Sequence, residues 1–481
     1  MLSIPRRISK MCDGYSRREF LRVGGATLFG LSLPQFFSLQ ANAAPGSPFE
    51  GPNGYGKAKS VILLFLQGEP SHIDIWDPKP DAPSNIRGLF KPFNTNVDGI
   101  QLSETMPLLA QHVDKYMLIR SMSYTPAGLF NHTAAIYQML TGYPPDKVSP
   151  SGQLEPPSPR DFPTAGSQVS KLKPLDSPML PFVEMPRPLQ ESSVIGKGGA
   201  AGFLGKAYDP YRLYQDPNKP IDLGGLALRS DVPPERLKER FYLLKGINGS
   251  MPELETAVRS YALDHYYQKT YSLLLSGKAR DAFDLEQEKP EMRDKYGRTT
   301  FGQGALLARR LVQAGTRFVQ LNWPAVANGD PTIEAWDTHF ANFGLLKNLH
   351  CPVLDRTLSA LLDDMTEKGM MEDALVVAVG EFGRSPRLGV STSGDTYSPD
   401  GRDHWPYCYA ALVAGAGIKT GQLYGKSDET ASSPKENPVH PTELLATIYY
   451  ALGIDPGQMV LNDLGQPREL VKGAPLVKLF G

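Results

Sequence analysis

Five short apolar runs, each closing on a turn, constrain this chain more than any other feature. Lys59-Ser60-Val61-Ile62-Leu63-Leu64-Phe65-Leu66 runs into Gln67-Gly68, and similar runs recur at 116–119, 317–321, 374–379 and 407–414. A continuous run of this length, bounded by turn residues, suits a strand buried on both faces, as in a parallel sheet. Helical patterns separate the runs. Leu354, Leu358, Leu361, Leu362 and Met365 share one helix face, and Gly369 stops that helix just before the run at Ala374. Pro441-Thr442-Glu443 opens another helix, which carries Leu444, Leu445, Ile448 and Leu452 and closes at Gly453. This rhythm predicts an α/β fold with a mostly parallel central sheet and helices on both faces. Ligands of such sheets gather beyond the carboxyl ends of the strands, so the turns after the runs are where chemistry is expected.

Two stretches break the rhythm. Twelve prolines lie between Pro144 and Pro188, which predicts a surface excursion over 143–190 with little regular structure. Residues 235–310 are charged and helically patterned, without strand signals, and predict a helical insertion. Residues 1–43 read as a twin-arginine export signal. Ser16-Arg17-Arg18-Glu19-Phe20-Leu21-Arg22 opens a mildly apolar run to Leu39, and Ala41-Asn42-Ala43 supplies small residues for cleavage. That run holds Gly24, Gly25, Gly30 and Pro34, so no stable membrane span is expected. The expected organisation is therefore a signal over 1–43 and one domain over 44–481. The expected location is periplasmic or extracellular, with the twin-arginine translocase as partner during export.

The whole chain has 50 Lys+Arg against 51 Asp+Glu, and losing a basic signal leaves it modestly acidic. Nucleic acid is not an expected partner. Three cysteines exclude a disulfide framework. Cys12 falls in the signal, a Cys351–Cys408 bridge stays open, and Cys408, inside an apolar run, reads as a buried thiol. There is no P-loop and no Gly-x-Gly-x-x-Gly after a strand.

The turns themselves are rich in metal-ligand residue types. Gly68-Glu69-Pro70-Ser71-His72-Ile73-Asp74-Ile75-Trp76-Asp77 follows the first run. Trp336-Asp337-Thr338-His339 follows the run at Arg317, and Gly380-Glu381-Phe382-Gly383-Arg384 follows that at Ala374. Gly401-Arg402-Asp403-His404-Trp405-Pro406 precedes the last. Imidazole with carboxylate binds zinc, manganese and similar ions, and carboxylate-rich sites admit harder ones. A lone surface His or Asp is more often solvated, and Asp403 reads equally as a turn residue and Asp337 as a helix cap. The joint pattern weighs more, because His72, His132, His339 and His404 all fall in turns at strand ends.

These motifs, in this order after a twin-arginine signal, resemble the DUF1501 family of exported bacterial proteins, abundant in planctomycetes. That family in turn resembles the alkaline phosphatase and sulfatase superfamily, which implies an alkaline-phosphatase-like sandwich and a metal site that cleaves phosphate or sulfate esters. The resemblance implies Asp337, His339 and His404 as one metal's ligands, with Glu381 in a ligand place of a late strand and Asp403 beside it. The superfamily's first-strand Asp is missing at Gln67-Gly68, and His72 or Asp74 would replace it. Leu140-Thr141-Gly142 matches the end of the sulfatase nucleophile segment, whose nucleophile place falls on His132. Formylglycine chemistry is thus not supported. His132 would be a general acid or base, a nucleophile or a ligand; Thr133 is the nearest hydroxyl, and Arg384 would face an anionic group.

The resulting expectation is an exported hydrolase with a divalent ion (Zn, Mn, Ca or Mg) that activates a nucleophile against a small-molecule or polysaccharide ester. The alternative is a non-catalytic metal-binding or scaffold protein that retains the fold.

Overall fold

The computed structural model describes residues 53–145, 156–191, 194–223, 276–324, 336–394 and 397–481, with isolated positions between 233 and 243. The expected export signal lies outside the described residues.

Eight strands form the central sheet: β1 (Ser60–Phe65), β2 (Met117–Met122), β3 (Phe182–Met185), β4 (Tyr211–Arg212), β5 (Phe318–Asn322), β6 (Ala374–Val379), β7 (Tyr409–Gly415) and β8 (Gln422–Tyr424). Their order is β8-β2-β7-β6-β1-β5-β3-β4. β1 pairs in parallel with both β5 and β6, whereas β7 runs against both its neighbours. The sheet is therefore mostly parallel, as the uninterrupted apolar runs predict.

Every residue of β1 and β6 is buried. Ile62, Leu64, Val376 and Ala378 point into one core, against α3 (Thr300–Ala314) and α4 (Cys351–Glu367). Val61, Leu63, Phe65 and Val377 point into the other. There they meet α1 (His132–Thr141), α2 (Ala165–Leu172) and α5 (Pro441–Ala451). Each such side chain taken out of water contributes about 1.5–3 kcal/mol, so central strands apolar on both sides need helices on both faces.

Helix boundaries follow local chemistry. Gly369 adopts φ 67° just beyond α4, a left-handed conformation that glycine takes without penalty. At α5, Pro441 sits in the first turn, and His440 and Glu443 form a reciprocal capping box. Cys351 and Cys408 are both free and buried.

The Pro-rich stretch differs from the expectation of little regular structure, for it holds α2 and β3. Pro181 and Pro186 bracket β3 rather than interrupt it, leaving Phe182–Met185 free to pair with β4 and β5. Of the expected insertion over 235–310, the continuously described part from 276 onward is helical. Its last helix, α3, covers the sheet as the element leading into β5. Among the described residues, no helix is long and apolar enough to cross a membrane.

The reversed strand decides where the site forms. Because β7 is antiparallel, its N-terminal end lies at the carboxyl edge of β1, β5 and β6. The Gly401–Pro406 motif before β7 therefore meets the motifs that follow those strands.

Candidate metal centre

The centre is built from four turns and one helix start. After β1, Gly68 takes φ 91°, and a Cβ there would stand 2.6 Å from the backbone nitrogen of Asp337. This close approach needs glycine. The Gly68 N–H donates to Glu381 Oε1 at 2.8 Å, tying the turn after β1 to the turn after β6. Asn131 caps α1, its Oδ1 accepting from the Ala134 N–H at 3.0 Å, so His132 occupies the first helical position and is fully buried. The Thr338 hydroxyl donates to Asn342 at 2.6 Å and fixes the Asp337-Thr338-His339 turn.

Three imidazoles converge on one carboxylate. His132 Nε2 lies 3.3 Å from Asp337 Oδ2, His339 Nε2 lies 2.9 Å from Oδ1, and His404 Nε2 lies 3.4 Å from Oδ1. The Nε2 atoms of His339 and His404 are 3.0 Å apart. The side chains of all four residues are 3–5% exposed. Two of the imidazoles have their other nitrogen hydrogen-bonded to a fixed acceptor. His132 Nδ1–H donates to Glu381 at 2.5 Å, and His404 Nδ1–H donates to the Phe130 carbonyl at 2.5 Å. His339 Nδ1 faces Asp403 Oδ1 at 3.4 Å. His339 and His404 turn their Nε2 atoms to the same oxygen of Asp337, and the Phe130 carbonyl holds His404 as second-sphere acceptors hold metal-bound histidines. The Phe382 ring packs 4.8 Å from His132 and 4.9 Å from His404, walling both imidazoles.

The electrostatics are those of a charge nest. Burial opposes ionisation of Asp337, but Arg384 and His132 outweigh it and hold its carboxyl well below the usual range. Burial alone would lower His132; Asp337 and then Glu381 overcome this and push it up to about 10. Burial, then the His132 charge, lower His404 to about 4.

The donor set fits a divalent cation. Zn–N bonds of about 2.0–2.1 Å in tetrahedral geometry place donor atoms about 3.3 Å apart, close to the separations found here. His132 Nε2 and Asp337 Oδ2, both buried, have no hydrogen-bond partner. His132, Asp337 and His404 form one ligand-competent group, and His339, Asp403 and His404 another.

The other expected site residues take different places. Asp74 does not reach this centre: Arg402 binds it through Nε at 2.6 Å and Nη2 at 2.9 Å, and Ser71 and Asn342 complete its shell. His72 Nε2 is bonded to the Ala431 carbonyl at 2.9 Å. Both side chains leave the turn after β1 on the short helix His72–Ile75. Asp403 accepts from the N–H groups of Ser393 and His404 and from the Ser393 hydroxyl. Burial would raise its carboxyl, but these donors and the Thr392 N–H hold it well below the usual range. Asp403 and Glu381 thus stand behind histidines. The Thr133 hydroxyl donates to Asn131 at 2.7 Å. Arg384 is fully buried, paired with Asp337 at 2.5 Å and donating to the Gly68, Glu69 and Arg402 carbonyls. Its charge is spent on the protein.

Sequence reasoning missed Gly68, Glu69 and the Phe130 carbonyl. An Asn immediately before the His132 helix was a readable capping signal. A backbone carbonyl such as that of Phe130 leaves no trace in residue identity.

Among solved structures, the chain is similar to a phosphonate monoester hydrolase from Silicibacter pomeroyi, at 13% identity and TM-score 0.36 over 87% of this chain and 75% of that one. It is also similar to the PsFucS1 sulfatase from Pseudoalteromonas sp., at 12% identity and TM-score 0.35 over 91% and 72%. An alkaline phosphatase superfamily protein from Vibrio parahaemolyticus gives 12% identity and TM-score 0.35 over 88% and 76%. No curated protein matches. The family model of DUF1501, described as a protein of unknown function, matches residues 58–480, and the chain belongs to this family.

Proposed function

We propose that the protein is an exported metal-dependent hydrolase of phosphate or sulfate esters. One observation carries the reading: three buried imidazoles, two of them with Nδ1 hydrogen-bonded to a fixed acceptor, aim Nε2 at a single carboxylate. Asp337, His339 and His404 are the residues that would hold the ion. A divalent cation there would polarise an ester oxygen and lower the pKa of water toward ~7. His132 completes the arrangement from the start of α1, with Nδ1 bonded to Glu381 and Nε2 facing Asp337, two carboxylates that favour its protonated form. As the imidazolium, it is placed to donate a proton to a leaving group or to orient an attacking one. Phe382 and the burial of all four side chains keep bulk water from competing for these contacts. Small-molecule and polysaccharide esters are the proposed substrate classes, and the twin-arginine segment is the proposed route of export.

A specific observation also favours a second reading. His132 groups with Asp337 and His404, and His339 and Asp403 group with His404, so the centre offers more donors than the three protein ligands a catalytic site uses, and a fourth would close the position that catalytic sites keep open. On this reading the protein binds a metal and does not turn over esters. Metal analysis of the purified protein after loading, followed by a panel of aryl phosphate, phosphodiester and sulfate esters, separates them. Turnover that is lost in His404→Ala supports the hydrolase. One bound ion without turnover supports the closed site. No stoichiometric metal sinks both.

A further inference from the structure

Behind the histidines lies a second carboxyl that the proposed mechanism does not use. Glu69 is 1% exposed, although it directly follows a surface-type turn. Its backbone is left-handed, φ 58°, a conformation uncommon outside glycine, Asn and Asp. Its own carbonyl accepts from Arg384 Nε at 3.3 Å. The side chain is driven inward, over Gly380. A Cβ on Gly380 would overlap Glu69 Oε2, so the glycine before Glu381 is what makes the seat for this carboxyl.

The seat places Glu69 beside Glu381. The Phe382 N–H donates to the Glu69 carboxyl, and Glu381 is its strongest charged neighbour. Each of the two carboxyls has one buried oxygen without a hydrogen-bond partner, Glu69 Oε2 and Glu381 Oε2. The remaining oxygen of Glu381, Oε1, is the atom that accepts from His132 Nδ1 and from the Gly68 N–H. A strained backbone, a steric notch and two orphaned oxygens thus meet at the residue that orients His132. Strain of this kind persists where surrounding structure enforces it.

We propose that Glu69 is a positioning residue: seated on Gly380, it buttresses Glu381 and through it fixes the ring orientation of His132. Burial, and next Glu381, raise the Glu69 carboxyl well above the usual range. This deepens the metal-centre reading, but its structural content holds in metal-free protein.

The test uses the metal-free full chain and downfield proton NMR. The His132 Nδ1–H signal is assigned by its absence in His132→Gln. Glu69→Gln keeps the length that fills the seat and the acceptor for Phe382, and is expected to retain the signal. Glu69→Asp suits the left-handed backbone but withdraws the carboxyl by one methylene, and is expected to shift or lose it. Gly380→Ala, which fills the seat and leaves Glu69 itself intact, is expected to act like Glu69→Asp. Where zinc binds wild type, its Kd should weaken by roughly tenfold or more in Glu69→Asp and Gly380→Ala, but not in Glu69→Gln. A wild-type His132 signal in folded Glu69→Asp and Gly380→Ala overturns the proposal. Failure of wild type to take up metal, with the predicted NMR pattern intact, removes the metal reading and leaves this one standing.

Discussion

Replacing Asp74 separates two roles that the sequence alone leaves equivalent. As a metal ligand, Asp74 would contribute to ion binding and little to folding. In the structure it is instead the anion of a fully buried, bidentate pair with Arg402, at 2.6 and 2.9 Å, with neither side chain exposed. Arg402 also donates to the Ser385, Pro386 and Ile86 carbonyls, so it cannot swing out to water when its partner is lost. Breaking a buried pair from one side strands a charge and costs about 3–5 kcal/mol. Unfolding entropy of about 2.1 cal/mol/K per residue, over roughly 400 residues, converts this to a Tm loss of about 5 °C. Asp74→Ala should show that loss in calorimetry, while the folded variant keeps the metal content of wild type. The double variant Asp74→Leu with Arg402→Met should recover most of it, since an apolar pair of similar volume carries no stranded charge. A Tm change below about 1 °C, or selective loss of metal from a folded, undestabilised Asp74→Ala, would refute the reasoning.

Other outcomes follow from the same geometry. His132→Ala should weaken zinc binding by about tenfold or more in calorimetric titration, whereas Thr133→Val should leave it unchanged because that hydroxyl is already given to Asn131; the reverse order would contradict the assignment. Gly68→Ala should destabilise by about 1–3 kcal/mol in urea unfolding, since its Cβ meets the Asp337 and Trp336 backbone and φ is 91°. Burial raises the Glu184 carboxyl to about 6 in the folded protein. The native state thus holds this proton more tightly than the unfolded chain, whose value is near 4.5. The stabilisation is fully present below about pH 4.5 and fades as pH rises through about 6, a change of about 2 kcal/mol. Glu184→Gln should flatten that part of the stability–pH curve, and an unchanged slope would exclude the shift.

Much of this was legible in the chain. An apolar run carries its own burial: Ile62 and Leu63 cannot face water at this density, so strands covered on both faces followed from residue type alone. The same holds for α4 and α5, whose apolar spacing and terminal glycines are local physics. Pro181 and Pro186 show the limit. Proline density signalled irregular chain, but a proline constrains only its own φ and donor, and four free residues between two of them suffice for a strand.

The sequence by itself determined which residue types stand at the strand ends, because each turn motif is continuous and its chemistry is local. It named His132, Asp337, His339, Glu381, Asp403 and His404 together with His72 and Asp74; only the family resemblance singled out Asp337, His339 and His404, and residue type did not say which of the eight converge. Tertiary structure alone decided the ranking. The antiparallel β7 brings His404 to Asp337 across 67 residues of sequence. Arg402, two positions earlier, is drawn to Asp74 instead, taking that carboxylate out of the centre. Which carboxylate meets a histidine and which meets an arginine depends on strand direction and on turns without room for a Cβ. Those are relations between distant segments, and no single stretch of sequence contains them.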